Sequence, residues 1–104
     1  RIYYVTGVKT GHDKNMARGH HAVRGEKKIY ICMHGSVIAR FHDGKNWRTY
    51  KLKGPSGGIS VEGLCWREFS NFAPNTVLAA ISNINYDKNK YIYDFEEFLE
   101  ESRA

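Results

Sequence analysis

No apolar run in this 104-residue sequence approaches the roughly 20 residues that a helical membrane span requires, so no such span is expected. There is no internal repeat, low-complexity tract or linker, and residues 1–104 read as a single domain. Cysteine is scarce. Cys32 and Cys65 both lie inside apolar runs, at no metal-like spacing, and read as buried free thiols of a cytoplasmic protein. No signal peptide is visible, and the chain opens on Arg1, so an excerpt or a processed chain is expected. Acidic residues are sparse outside the C-terminus. Residues 95–104 hold four Glu against one Arg, a net of −3, while the other 94 residues hold 15 Lys and Arg against 7 Asp and Glu, a net of +8. A basic body favours anionic partners, whether phosphates, nucleotides or nucleic acid.

What is present is a series of short alternating segments. "RIYYVTGV" (1–8) alternates and is β-rich, and residues 8–16 form a polar loop. "ARGHHAVR" (17–24) and "KKIYICM" (27–33) read as strands separated by Gly25-Glu26. "VIARF" (37–41) and "WRTYKL" (47–52) flank Asp43-Gly44, the strongest hairpin signal in the chain. After the breaker at 53–58 come "ISVEGL" (59–64), "CWREFSNF" (65–72), a turn at Ala73-Pro74-Asn75, and "TVLAAIS" (76–82), apolar enough for burial on both faces. Asp94 can cap a helix from Phe95, with Glu96 and Glu97 in its first turn and Phe95, Phe98 and Leu99 as its apolar stripe. Seven or eight strands with a closing helix predict an all-β sandwich or barrel.

The adjacent pair His20-His21 is the first candidate for chemistry. In a regular strand His21 shares a face with Gly19 and Val23, and His20 shares the other with Arg18 and Ala22. A metal needs three or four converging ligands; Val23 cannot supply one, and His12, His34 and His42 fall in loops or turns, so no metal site is expected. One histidine in a dry interior suffices as a general base, and His21 fits that description, as it also fits a hydrogen-bonded core histidine. Arg18 offers a fork for phosphate, whereas Arg24, Lys27 and Lys28 read as a solvated face. Tyr3, Tyr4, Tyr30, Trp47, Trp66 and Phe69 are candidates to stack on a base or sugar, though most of them are more simply core.

Six ordered blocks carry more. "RIYYVTGV", "ARGHHAVRGEKKIYICMHGSV", "HDG", "GP", "GGISVEGLCWREFSNF" and "NYDKNKYIYDFEEF", running from Arg1 to about Leu99, together resemble the nucleotide-sugar 3,4-ketoisomerases, cupin-fold enzymes that act on dTDP-4-keto-6-deoxyglucose. The resemblance implies a cupin-type jelly roll with a short C-terminal helix, a homodimer, and further N-terminal β structure ahead of Arg1. It implies isomerisation of a dTDP-linked 4-keto-6-deoxyhexose to its 3-keto isomer through an enediol, with no metal and no cofactor. His21 matches the family's base and Arg18 its preceding arginine, but the second histidine of the family triplet is Val23 here. Arg67 stands where a histidine is common, and Tyr93 where an arginine is. Tyr4, Arg67 or a water would then move the proton between sugar oxygens, with Arg18, Arg1, Tyr3 and Trp66 binding the substrate. Val23 leaves open a non-catalytic or differently specific nucleotide-sugar binder on the same fold. A basic β-barrel that stacks nucleic acid on its tyrosines ranks last.

Overall fold

The computed structural model describes residues 1–7 and 18–104. The polar loop read at 8–16, including His12, lies outside the described residues. In chain order the elements are β1 (Ile2–Val5), β2 (Arg18–Val23), β3 (Lys27–His34), β4 (Ser36–His42), β5 (Trp47–Lys53), β6 (Gly57–Glu62), β7 (Trp66–Ser70), β8 (Val77–Ser82), a single 3-10 turn (Lys88–Lys90), β9 (Tyr91–Ile92) and helix α1 (Phe95–Ser102). The strands form two antiparallel sheets, one ordered β1-β8-β3-β6 and the other β5-β4-β7-β2-β9. This is the expected jelly-roll architecture with a short C-terminal helix. Among the described residues no helix is long and apolar enough to cross a membrane.

The strand alternation builds the interior directly. Tyr30 and Cys32 of β3, Val37, Ala39 and Phe41 of β4, Phe69 of β7 and Leu78 and Ala80 of β8 converge into the core between the sheets. The five-stranded sheet is also covered on its other face. There Ala22, Trp66 and Ile92 pack under Phe98 of α1, with Phe95 and Leu99 at the margin. The helix begins where the sequence indicates: the Asp94 side chain accepts a hydrogen bond from the Glu96 backbone N–H, and Glu96 and Glu97 occupy the first turn. Cys32 is buried and Cys65 half-buried, and both are free thiols.

Several local expectations change. His34 and His42 close strands β3 and β4 instead of lying in loops. His42 is buried beneath the helix, edge-on to Phe95 and Phe98, and its Nδ1 accepts from the Gly44 backbone N–H. In β8 only the face of Leu78, Ala80 and Ser82 is buried throughout, because Ile81 is exposed on the outer side. β3 inverts hydropathy at one point: Lys28 faces inward and is 1% exposed, while Ile29 faces out. Lys28 therefore does not belong to the solvated face assigned to it.

Candidate active site

The geometry that matters is set by an irregularity in β2. Pairing with β7 runs Arg18 to Phe69 and Gly19 to Glu68, then skips to His21 opposite Arg67. His20 is the extra residue of a β-bulge, with φ at +54°, and Gly19 has φ at +87°. Glycine is required there on two counts, its left-handed backbone and a Cβ that would lie 2.9 Å from the Arg67 carbonyl oxygen. The bulge corrects the face assignment made for a regular strand. Arg18 and His21, three apart in sequence, now point into the same side of the sheet, and Ala22 turns toward the helix. His20 is diverted outward, its Nδ1 3.7 Å from Glu68 Oε2.

Arg18 and His21 line a cavity of about 190 Å³ together with Tyr3, Val5, Gly19, Tyr30, Phe69 and Leu78. That is smaller than the roughly 300–1,000 Å³ of a site enclosing a drug-sized ligand. It suits one ring of a larger molecule, with the rest lying across the rim, where Arg18 is exposed and forms no ion pair among the described residues.

Within this cavity His21 is held in one state. Its Nδ1 lies 3.0 Å from the Gly19 carbonyl oxygen. A carbonyl can only accept, so Nδ1 carries the hydrogen and Nε2 presents a lone pair. That Nε2 is buried and has no hydrogen-bond partner among the described residues. Burial, followed by the positive charges of Arg67 and Lys28, pulls the imidazole pKa down from 6.5 to about 4, against the opposing pull of the Gly19 hydrogen bond and Glu26. The ring is neutral at physiological pH, with a buried and unpartnered Nε2 lone pair. Tyr91 and Tyr93 wall its other side, ring centroids 5.0 and 6.2 Å away.

This shift has a consequence for stability. Between about pH 6.5 and 4 the unfolded chain protonates His21 and the folded chain does not, so the unfolded state binds more protons. The contribution is complete above about pH 6.5 and is lost as pH falls toward 4, on the order of 3 kcal/mol in total. Urea denaturation of wild type and His21→Asn between pH 7.5 and 4.5 should show the variant with the shallower loss. Parallel losses would contradict a neutral buried His21.

Behind the cavity lies a buried charge network. Glu26, 3% exposed, accepts from Arg67 Nη1 at 3.1 Å on Oε1 and from Ser82 Oγ at 2.7 Å on Oε2, and Lys28 Nζ lies 3.2 Å from Oε2. Burial disfavours the Glu26 carboxylate, but the Ser82 hydrogen bond and the charges of Lys28 and Arg67 outweigh it and hold the pKa below the usual range. Arg67 also donates to the Tyr30 hydroxyl and the Cys65 carbonyl, and Lys28 Nζ donates to the Tyr3 hydroxyl at 2.8 Å. Both phenols that line the cavity are thus tied to buried cations that share one carboxylate.

The candidate residues sort accordingly. His21, Arg18 and Tyr3 meet at the cavity, with the Arg1 guanidinium 4.5 Å from the Tyr3 ring and 5.4 Å from that of Tyr86. Tyr4 does not meet them: it is 62% exposed on the opposite face of β1 from Tyr3 and Val5, because neighbours in a strand alternate. Trp66 is also misplaced as a substrate contact, since it packs under α1 on the far side of its sheet and donates to Glu68. Arg67 is cross-strand from His21 but its guanidinium is committed to Glu26, Tyr30 and Cys65, and it cannot give up a proton. Val23 sits on His21's face opposite Tyr91, fully buried, and is not among the residues lining the cavity. Sequence reasoning missed Glu26, Lys28 and Tyr91; the shared face of Lys28 with Tyr30 and Cys32 was the available signal for one of them. Among the described residues no three His, Cys, Asp or Glu side chains group as a metal site would require.

The fold is thus a small antiparallel jelly roll with a histidine-lined cavity between its sheets and Arg18 at the rim. The family model described as "WxcM-like, C-terminal" (FdtA) matches residues 1–103. Among solved structures, the sugar 3,4-ketoisomerase QdtA of Thermoanaerobacterium thermosaccharolyticum, in complex with TDP, superposes with a TM-score of 0.89 at 31% identity, over 99% of this chain and 72% of its own. A 3,4-ketoisomerase of Helicobacter canadensis gives 0.91 at 32% identity, over 100% and 75%. The TDP-quinovose 3,4-ketoisomerase WlaRB of Campylobacter jejuni gives 0.84 at 33%, over 96% and 74%. No curated protein matches the chain. The chain belongs to the sugar 3,4-ketoisomerase family, within the WxcM-like group.

Proposed function

We propose that this chain isomerises a dTDP-linked 4-keto-6-deoxyhexose to its 3-keto isomer, with His21 as the base. The neutral imidazole whose Nε2 is buried, unpartnered and held in one tautomer by Gly19 carries this reading. The C4 ketone acidifies the neighbouring C3–H bond. His21 Nε2 takes that proton, an enediol forms, and the proton returns at C4. Burial lowers the basicity of His21, but a general base is judged first by its reach to the proton it takes. Arg18, on the rim, suits the diphosphate, which a guanidinium fork recognises better than a point charge. Incubating the chain with dTDP-4-keto-6-deoxyglucose and following the sugar by NMR should reveal the 3-keto isomer. Unchanged substrate in the presence of a folded, dTDP-binding chain would defeat the reading.

A second reading, a nucleotide-sugar binder without turnover, rests on Val23. Val23→His should raise turnover of a slow isomerase, at a stability cost of roughly 1–3 kcal/mol because the imidazole must find a partner in a fully buried position. Unchanged turnover in a folded variant would favour the binder.

We also infer a homodimer. The outer face of the β1-β8-β3-β6 sheet exposes Ile2, Tyr4, Ile29, Met33 and Ile81, an apolar surface that no element among the described residues covers. Light scattering should return twice the 12.0 kDa of one chain, and a monomer at micromolar concentration would contradict the inference.

A further inference from the structure

The site holds one proton carrier where the reaction needs two transfers. Isomerisation moves hydrogen from C3 to C4 and, separately, a proton from O3 to O4. His21 accounts for the carbon-bound hydrogen only. Val23 carries no proton, and Arg67 cannot release one. Yet an ammonium lies one hydrogen bond behind the cavity wall: Lys28 Nζ donates to the Tyr3 hydroxyl at 2.8 Å, and Tyr3 lines the cavity with His21.

Resting on the isomerase reading above, we infer that Lys28 is the positioning residue of a second proton path, acting on the sugar oxygens through the hydroxyl of Tyr3. The direction of the hydrogen bond supports this. An ammonium only donates, so the Tyr3 oxygen accepts from Lys28 and its own hydrogen is left to point elsewhere, with the cavity as its open side. Glu26 explains how a lysine can be fully buried there: its carboxylate pairs with Lys28 and Arg67 together, while Ser82 fixes one of its oxygens. Tyr30, the other phenol at the cavity, accepts from Arg67, which holds its proton permanently, so only the Tyr3 branch ends in a group able to exchange one.

The proton balance closes without any other reactant. As His21 Nε2 takes the C3 proton, the C3–H electrons form the C3=C4 bond and the C4=O π electrons bond O4 to the Tyr3 hydroxyl proton. The phenolate is refilled from the Lys28 ammonium. In the second half O3 loses its proton to Tyr3, which returns one to the Lys28 amine. The O3–H electrons form the C3=O bond, and the C3=C4 electrons take the proton back from His21 at C4. Lysine, tyrosine and histidine all end as they began.

The test is a double-mutant cycle on kcat with Lys28→Met and Tyr3→Phe, using dTDP-4-keto-6-deoxyglucose and checking each variant's fold and dTDP affinity. Each single variant should lose about 100-fold or more in kcat with KM within a few-fold, as loss of an acid/base group does. The double variant should be no slower than the slower single one, because both break one path. Losses that multiply would assign the two residues separate structural roles and overturn the relay, as would a folded Lys28→Met that keeps its turnover. Should Lys28→Met fail to fold, Lys28→Gln replaces it: the amide still donates to Tyr3 but has no proton to give, and turnover must fall equally. An inactive wild type defeats the isomerase reading itself, and the relay with it. An active wild type with active variants defeats the relay alone.

Discussion

His21→Asn is expected to lower the isomerisation rate by about 10²–10⁴-fold while leaving dTDP affinity within a few-fold, the contribution of a positioned general base. Asparagine has similar bulk and can still donate to the Gly19 carbonyl, so the bulge of β2 and the cavity wall should persist. What disappears is the lone pair on Nε2. A steady-state assay beside a dTDP titration separates the two effects. A variant that keeps most of its rate would hand the base role to another residue, and one that loses binding in proportion would make His21 a wall of the site.

Glu26→Ala should be the most damaging substitution for stability. The carboxylate compensates two buried cations, Arg67 and Lys28, both about 1% exposed or less, and accepts from Ser82 as well. Removing one partner of a buried ion pair costs about 3–5 kcal/mol, because the remaining charge is left without compensation. A domain of this size holds only about 5–15 kcal/mol in total, so the melting temperature should fall by at least about 12 °C. Glu26→Gln keeps acceptors for Ser82 and Arg67 and should lose less. A Glu26→Ala protein within about 1 kcal/mol of wild type by urea denaturation would show that the two cations do not depend on this carboxylate.

Much of the architecture was legible in the chain because its causes are local. Alternation of Tyr30 with Cys32 and of Val37, Ala39 and Phe41 places the core, Asp43-Gly44 marks the turn between β4 and β5, and Asp94 starts the helix. The inward placement of His21 was legible for the same reason. The rest was not, and each miss has a physical cause. A bulge adds one residue to one strand and reverses the faces beyond it, which no period-2 reading anticipates; that is why Arg18 joins His21. Lys28 read as solvated because charge alone argues for the surface, Glu26 read only as part of the break between β2 and β3, and tertiary pairing among Glu26, Lys28 and Arg67 reverses the cost of burial. Trp66 and Tyr4 are aromatic residues in the right strands on the wrong faces: one is needed under α1, the other lies on the open side of its sheet.

Deuterium exchange tests the central claim most directly. With the wild-type chain and dTDP-4-keto-6-deoxyglucose in D2O, removal of the C3 proton by His21 predicts a product that lacks it at C3 and carries at C4 the hydrogen His21 returned, protium where that proton has not exchanged with solvent and deuterium where it has. Bound nucleotide sugar whose C3 proton survives, at a pH where His21 is neutral, would contradict it.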